Sequence, residues 1–169
     1  MMSGNGLKRI FLLRHGKSDW KTGDMDHGRP LASRGRRDAD MIGQLMAGRD
    51  WNPELVLCST AARTRQTIDR VSTSAGWRDP TIVYHDELYL AAPESVLRMI
   101  QSIQEEVSSV LVVGHQPFTS IVASFLLDGL MLDVPTACLV VVDCPATSWT
   151  EVGVLPGRLI DHILPRTLS

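Results

Sequence analysis

The sequence predicts an α/β fold: three layers, α/β/α, built on a mostly parallel central sheet. Two observations carry that prediction. Short unbroken apolar runs rich in Val, Ile and Leu recur along the chain, as suits strands buried on both faces. Longer segments of helical period lie between them, and alternating strand and helix implies a sheet covered on both faces. The 169 residues are one domain's worth of chain, with no repeat or linker, so residues 1–169 read as a single domain.

The elements follow in order. Ile10–Leu13 is the first apolar run, between Lys8-Arg9 and Arg14-His15-Gly16. After a long irregular stretch from Gly16 to Pro30, Ser33 is placed to cap a helix with Met41, Ile42, Leu45 and Met46 on one face. Leu55–Cys58 is the second strand, followed by a helix over Thr60–Ala75 that Gly76 stops. Thr81–Tyr84 is the third. A helix begins at Pro93, with Val96, Leu97, Ile100 and Ile103 in helical register. Val110–Val113 is the fourth strand, closed by Gly114, and Pro117 opens a helix carrying Ile121, Val122, Phe125 and Leu126. Cys138–Val142 is the fifth, and a weaker sixth is expected around Trp149–Leu155.

Composition narrows the function. A hydrophobic content of 44% excludes disorder. Seventeen Lys+Arg against 19 Asp+Glu leave a net charge of -2, so a global basic footprint for nucleic acid is absent. Cys58, Cys138 and Cys144 have no C-x-x-C spacing, which indicates neither a disulfide framework nor a zinc site. The run Ala137–Val142 is far short of the ~18 apolar residues that span a membrane. The N-terminus does not read as a signal peptide. These features lead to the expectation of a cytoplasmic protein without cofactor, metal, membrane or nucleic-acid partner.

The informative polar residues fall at strand ends. Arg14 and His15 follow the first run, and Ser59 follows the second with Arg63 one helical turn on. His115 follows the fourth across Gly114. Ligands of parallel sheets bind outside the carboxyl ends of strands. If these strands are neighbours, two histidines and two arginines converge there. Arginine forks match phosphate oxygens. A neutral imidazole between them can attack phosphorus. A second, held cationic by the phosphate, can stabilise charge on its oxygens. Gly16 and Gly114 are read as letting backbone approach the phosphate.

The residues Leu13-Arg14-His15-Gly16 resemble the RHG signature of the histidine phosphatase, or phosphoglycerate mutase-like, superfamily. Ser59-Thr60-Ala61-Ala62-Arg63-Thr64-Arg65-Gln66-Thr67 is similar to its S-x-x-x-R-[AT]-x-x-T segment. Val113-Gly114-His115-Gln116-Pro117 is similar to its second-histidine segment, and Pro30–Arg36 to its PLTxxGR helix start. The motifs cover the first three quarters of the chain. The resemblance implies a phosphoglycerate mutase-like fold and His15 as a nucleophile that becomes phosphohistidine. Arg14, Arg63 and His115 would complete the phosphate pocket, with Ser18 contacting substrate from the following loop.

Two departures shape the expected substrate. The mutase pattern has Asn after the Trp, where this chain has Lys21. Larger members place a Glu acid where Tyr89 or Leu90 falls, leaving Glu87 as the candidate acid. Leu88-Tyr89-Leu90-Ala91 followed by Pro93-Glu94 is most similar to the short SixA-type phosphohistidine phosphatases. An alkoxide leaving group needs a proton as it departs. A phosphoramidate nitrogen can be protonated beforehand and needs a protein acid less. The expected substrate is therefore phosphohistidine on a protein. A small-molecule phosphomonoesterase, a phosphomutase and a non-catalytic phosphate-binding module remain alternatives.

The remaining polar groups have plainer readings. Cys58 and Arg63 give C-x4-R, one residue short of the cysteine phosphatase loop, so Cys58 reads as a buried strand end. Arg34, Arg36 and Arg37 read as an exposed helix start or a docking rim. Asp24-Met25-Asp26-His27 reads as a loop, with no further ligand cluster to support a metal.

Overall fold

The computed structural model describes residues 6–168. Its strands are β1 (Leu7–Arg14), β2 (Leu55–Ser59), β3 (Ile82–His85), β4 (Ser109–Gly114), β5 (Leu139–Pro145) and β6 (Arg158–Ile163). Its helices are α1 (Ser33–Gly48), α2 (Ala62–Ala75), α3 (Pro93–Gln101) and α4 (Phe118–Leu126). The strands form one sheet in the order β3-β2-β4-β1-β5-β6. Neighbours from β3 to β1 are parallel, while β5 runs antiparallel to both β1 and β6.

The period of two along β1 splits the core. Ile10 and Leu12 face one way, into a cluster with Val96 and Ile100 of α3 and Val122 and Leu126 of α4. Phe11 and Leu13 face the other, onto Ala39, Ile42 and Met46 of α1 and Ile68 and Val71 of α2. Each fully buried side chain of this size contributes roughly 1.5–3 kcal/mol. A strand that must feed both faces has no room for polar alternation, which is why its apolar run is continuous.

Local differences from expectation have identifiable causes. Ala32, not Ser33, is the N-cap of α1 and makes no side-chain cap; Ser33 is inside the helix, accepting from Arg36. Pro117 is the N-cap of α4 rather than a residue of its first turn. Residues 149–151 form a 3-10 turn closed by a Ser148–Glu151 capping box, not a sixth strand. Trp149 there is fully buried and donates to the Val107 carbonyl at 2.7 Å, so its apolar signal came from an anchor. The sixth strand lies at Arg158–Ile163, where Arg158, Asp161 and His162 on the sheet's edge interrupt the apolar pattern.

Candidate active site

Because β1, β4 and β2 are adjacent and parallel, their carboxyl ends lie side by side. Arg14 ends β1 and pairs in register with Gly114, the last residue of β4. Arg63 sits on the first turn of α2, just after β2. The structure thus brings Arg14, His15, Arg63 and His115 to one pocket of about 390 Å³, with Ser18 in its wall. The rings of His15 and His115 are 5.3 Å apart between centroids.

Each side chain is oriented by its neighbours. His15 Nδ1 lies 2.7 Å from the Gly16 carbonyl oxygen. A carbonyl only accepts, so Nδ1 carries the proton and Nε2 keeps a free lone pair. His115 Nε2 meets Ser59 Oγ at 2.8 Å. Arg14 donates to the Val134 carbonyl at 3.1 Å. Arg63 donates to the Asp26 carbonyl at 2.7 Å and pairs with the Asp26 carboxylate at 3.3 Å.

Burial lowers the pKa of His15 to about 4, and the guanidiniums of Arg63, Arg14 and Arg29 push in the same direction; the Gly16 hydrogen bond opposes them. Burial lowers His115 to about 3, reinforced by His15 and Arg63 and opposed by Asp26. Both rings are neutral at neutral pH. Among the described residues, the buried side-chain nitrogens left without a hydrogen-bond partner are Arg14 Nε, Arg63 Nε and His115 Nδ1. Buried polar groups are normally paired, and these three belong to residues that line one pocket, a donor set suited to an anion.

Three sequence expectations are corrected. Gly16 and Gly114 do not line the pocket. A Cβ on Gly16 would sit 2.7 Å from the Gly35 carbonyl oxygen, and the Gly16 N–H is taken by Thr67 Oγ1. A Cβ on Gly114 would sit 1.9 Å from the Phe118 ring. Both glycines permit close packing behind the site. Glu87 is also outside the pocket: its side chain is 72% exposed and lies 3.7 Å from His85.

Other residues of the site carried no sequence signal. Arg29 lines the pocket from the irregular 16–30 stretch. Its guanidinium stacks 3.5 Å over Trp20, donates to Ser18 Oγ at 3.2 Å and pairs with Asp26 at 2.6 Å. Asp26 ties the arginines together and receives the Tyr89 hydroxyl; that bond, with Arg63 and Arg29, lowers its pKa to about 2. Thr136 enters the wall because β5 runs antiparallel, which returns the preceding segment to the site edge. Cys58 is buried inside β2 with its thiol pushed up to about 12, unsuited to nucleophilic work.

Fold and donor set together define a class: an enzyme that handles phosphate with histidine and arginine at the edge of a largely parallel sheet. The chain belongs to the histidine phosphatase superfamily (branch 1), whose family model matches residues 10–89, and it is a phosphatase. An uncharacterised protein of Mycobacterium tuberculosis is 41% identical over 114 residues, covering 68% of this chain and 69% of the relative. A solved structure assigned as the phosphohistidine phosphatase SixA of Agrobacterium tumefaciens is 35% identical, with a TM-score of 0.79, covering 94% of this chain and 98% of that one. A second, the protein histidine phosphatase SixA complexed with tungstate, shares the fold at a TM-score of 0.82 and 24% identity, covering 95% of this chain and 99% of that one.

Proposed function

We propose that the protein hydrolyses phosphohistidine on proteins through a covalent phospho-His15 intermediate. The observation that carries this reading is the set of unpaired nitrogens on Arg14, Arg63 and His115 around a neutral His15. His15 Nε2 attacks phosphorus in line as the substrate's P–N bond breaks, and the bonding pair stays on the leaving imidazole. That ring, protonated at its other nitrogen, departs neutral, while phospho-His15 retains its Nδ1 proton on the Gly16 carbonyl. The positive ring charge passes from one imidazole to the other and no proton moves. Water then attacks phosphorus, the P–Nε2 pair returns to His15, and both water protons leave with the phosphate, as H2PO4−. Arg14, Arg63 and His115 hold the transferring group, since phosphoryl transfer needs mainly positioning and charge stabilisation.

The missing acid favours nitrogen over oxygen as the leaving atom. No carboxylate lines the pocket among the described residues. Asp26, which reaches its arginines, is anionic at neutral pH. Tyr89, bound to Asp26, has a pKa raised by that bond and is a weak donor. An alkoxide would therefore leave unprotonated, whereas a phosphoimidazole carries its own proton. The 35% identical structure assigned as a phosphohistidine phosphatase supports the same substrate class.

The test is a substrate panel: a phosphohistidine peptide, a phosphoserine peptide and a sugar phosphate. The phosphohistidine peptide is expected to be turned over fastest and to label His15 with an acid-labile, base-stable phosphoryl group. His15→Ala abolishes both label and turnover, and Arg63→Ala lowers kcat by ~10²–10³. A clear preference for an ester, or turnover that survives His15→Ala, refutes the proposal.

A further inference from the structure

Beside the catalytic pocket lies a second cleft of about 640 Å³, lined by Arg34, Arg37 and Arg166 and by one carboxylate, Asp38, with Met41, Pro135 and Leu164 as its apolar floor. The two cavities share Thr136 as a common wall. That wall is tied to the catalytic residues: the Ala137 N–H donates to the His15 carbonyl at 2.9 Å, and Arg14 donates to Val134. The other side of the cleft is the first turns of α1, pressed onto the catalytic loop. The Ala32 N–H donates to the Lys17 carbonyl at 2.8 Å, and a Cβ on Gly35 would sit 2.2 Å from the same oxygen. Cleft and pocket are therefore held in fixed relation.

The charge of this cleft is only partly balanced within the helix. Arginines in a first helical turn oppose the helix dipole, which favours acids there. Arg36 is accounted for by the Leu31 carbonyl and Ser33. Among the described residues, the Arg34 side chain reaches only Asp38, at 3.6 Å, and the exposed Arg37 side chain makes no hydrogen bond or ion pair. Their spacing, with Met41 one turn on, puts two cations and an apolar contact on one face. We propose that this cleft docks an acidic segment of the protein substrate, next in sequence or in space to its phosphohistidine. The inference rests on the protein-phosphohistidine reading and specifies which proteins satisfy it. Acidic side chains match the arginines, and an apolar neighbour matches the Met41–Leu164 floor.

The test compares two phosphohistidine peptides, one flanked by Asp and Glu with a Leu, the other by Ser and Gly, alongside free phosphoramidate. The acidic peptide is expected to have a kcat/KM about tenfold higher, almost all of it in KM, and the advantage is expected to collapse near 0.5 M salt. Arg34→Gln/Arg37→Gln, or Arg37→Glu alone, is expected to remove the preference and leave phosphoramidate hydrolysis unchanged. Equal kcat/KM for the two peptides overturns docking alone. So does a preference that survives both variants, or an equal loss on peptide and phosphoramidate. Turnover of phosphoramidate with neither peptide hydrolysed refutes the protein-substrate reading, and this inference with it.

Discussion

His15 and His115 are held neutral chiefly by burial, and that sets how the site responds to an anion. A bound phosphate dianion supplies the opposite charge that favours imidazolium. His115, with Nδ1 unpaired and Nε2 on Ser59, is the ring placed to take up the proton. Binding of sulfate, a dianion with no proton of its own at pH 7, is therefore expected to absorb up to one proton, read by calorimetry in buffers of different ionisation enthalpy; His115→Gln should abolish the uptake. Ser59 is fully buried, and its Oγ can accept from the cationic ring as it does from the Ala61 N–H. Ser59→Ala is expected to lower kcat/KM about tenfold without loss of fold, since it strands a buried charged donor. An unchanged pH–rate profile and unchanged proton uptake in Ser59→Ala would show that the hydroxyl does not serve His115.

At the scale of elements, two close approaches set where the side chains of the pocket stand. The end of β4 lies against the first residue of α4, with Gly114 under the Phe118 ring, and Phe118 is buried on its far side by the core. Gly114→Ala forces that ring to move and is expected to destabilise by about 1–3 kcal/mol in urea titration. Adding Phe118→Leu should restore most of the loss, because the two changes share one space. The other approach joins α1 to the loop after β1. At Gly35 the obstacle is the Lys17 backbone, which no rotamer change can clear. Gly35→Ala is expected to displace the Gly16–Lys17 segment, and with it the carbonyl that orients His15. Phosphoenzyme formation should then fall more steeply than stability does.

Across the whole molecule, the buried histidines make folding depend on pH. Their folded pKa values, about 4 and about 3, lie below the unfolded value near 6.5. As pH falls below 6.5 the unfolded chain binds protons that the native state refuses. Stability is complete above that pH and is lost progressively towards pH 4. Each histidine contributes a slope of up to about 1.4 kcal/mol per pH unit in this window. Denaturant midpoints measured from pH 7 to 4 should decline, and His115→Gln should flatten the decline by about one proton. Asp26 works in the same direction at lower pH: its stabilisation is present above the ordinary carboxylate value and is lost as pH falls from there towards its folded pKa of about 2.

The β1, β2 and β4 cores, the positions of α2 and α3, and Arg14, His15, Arg63 and His115 were legible because each depends on local signals. Those signals are an apolar run, a stop residue, or a polar residue abutting a strand end. Sequence fixed the chemistry available but not the neighbours. Whether β1, β4 and β2 lie side by side depends on long-range pairing, and only that pairing puts the two imidazoles 5.3 Å apart. The same holds for Arg29, Asp26 and Thr136, whose roles arise from a folded-back loop and an antiparallel β5 and leave no periodicity to read. It holds for the protonated nitrogen of His15, decided by one carbonyl 2.7 Å away. Glycine shows the limit in reverse. Its presence after His15 and before His115 was visible, but its purpose, clearance for Gly35 and Phe118, is a property of packing between segments that are distant along the chain or meet across a turn.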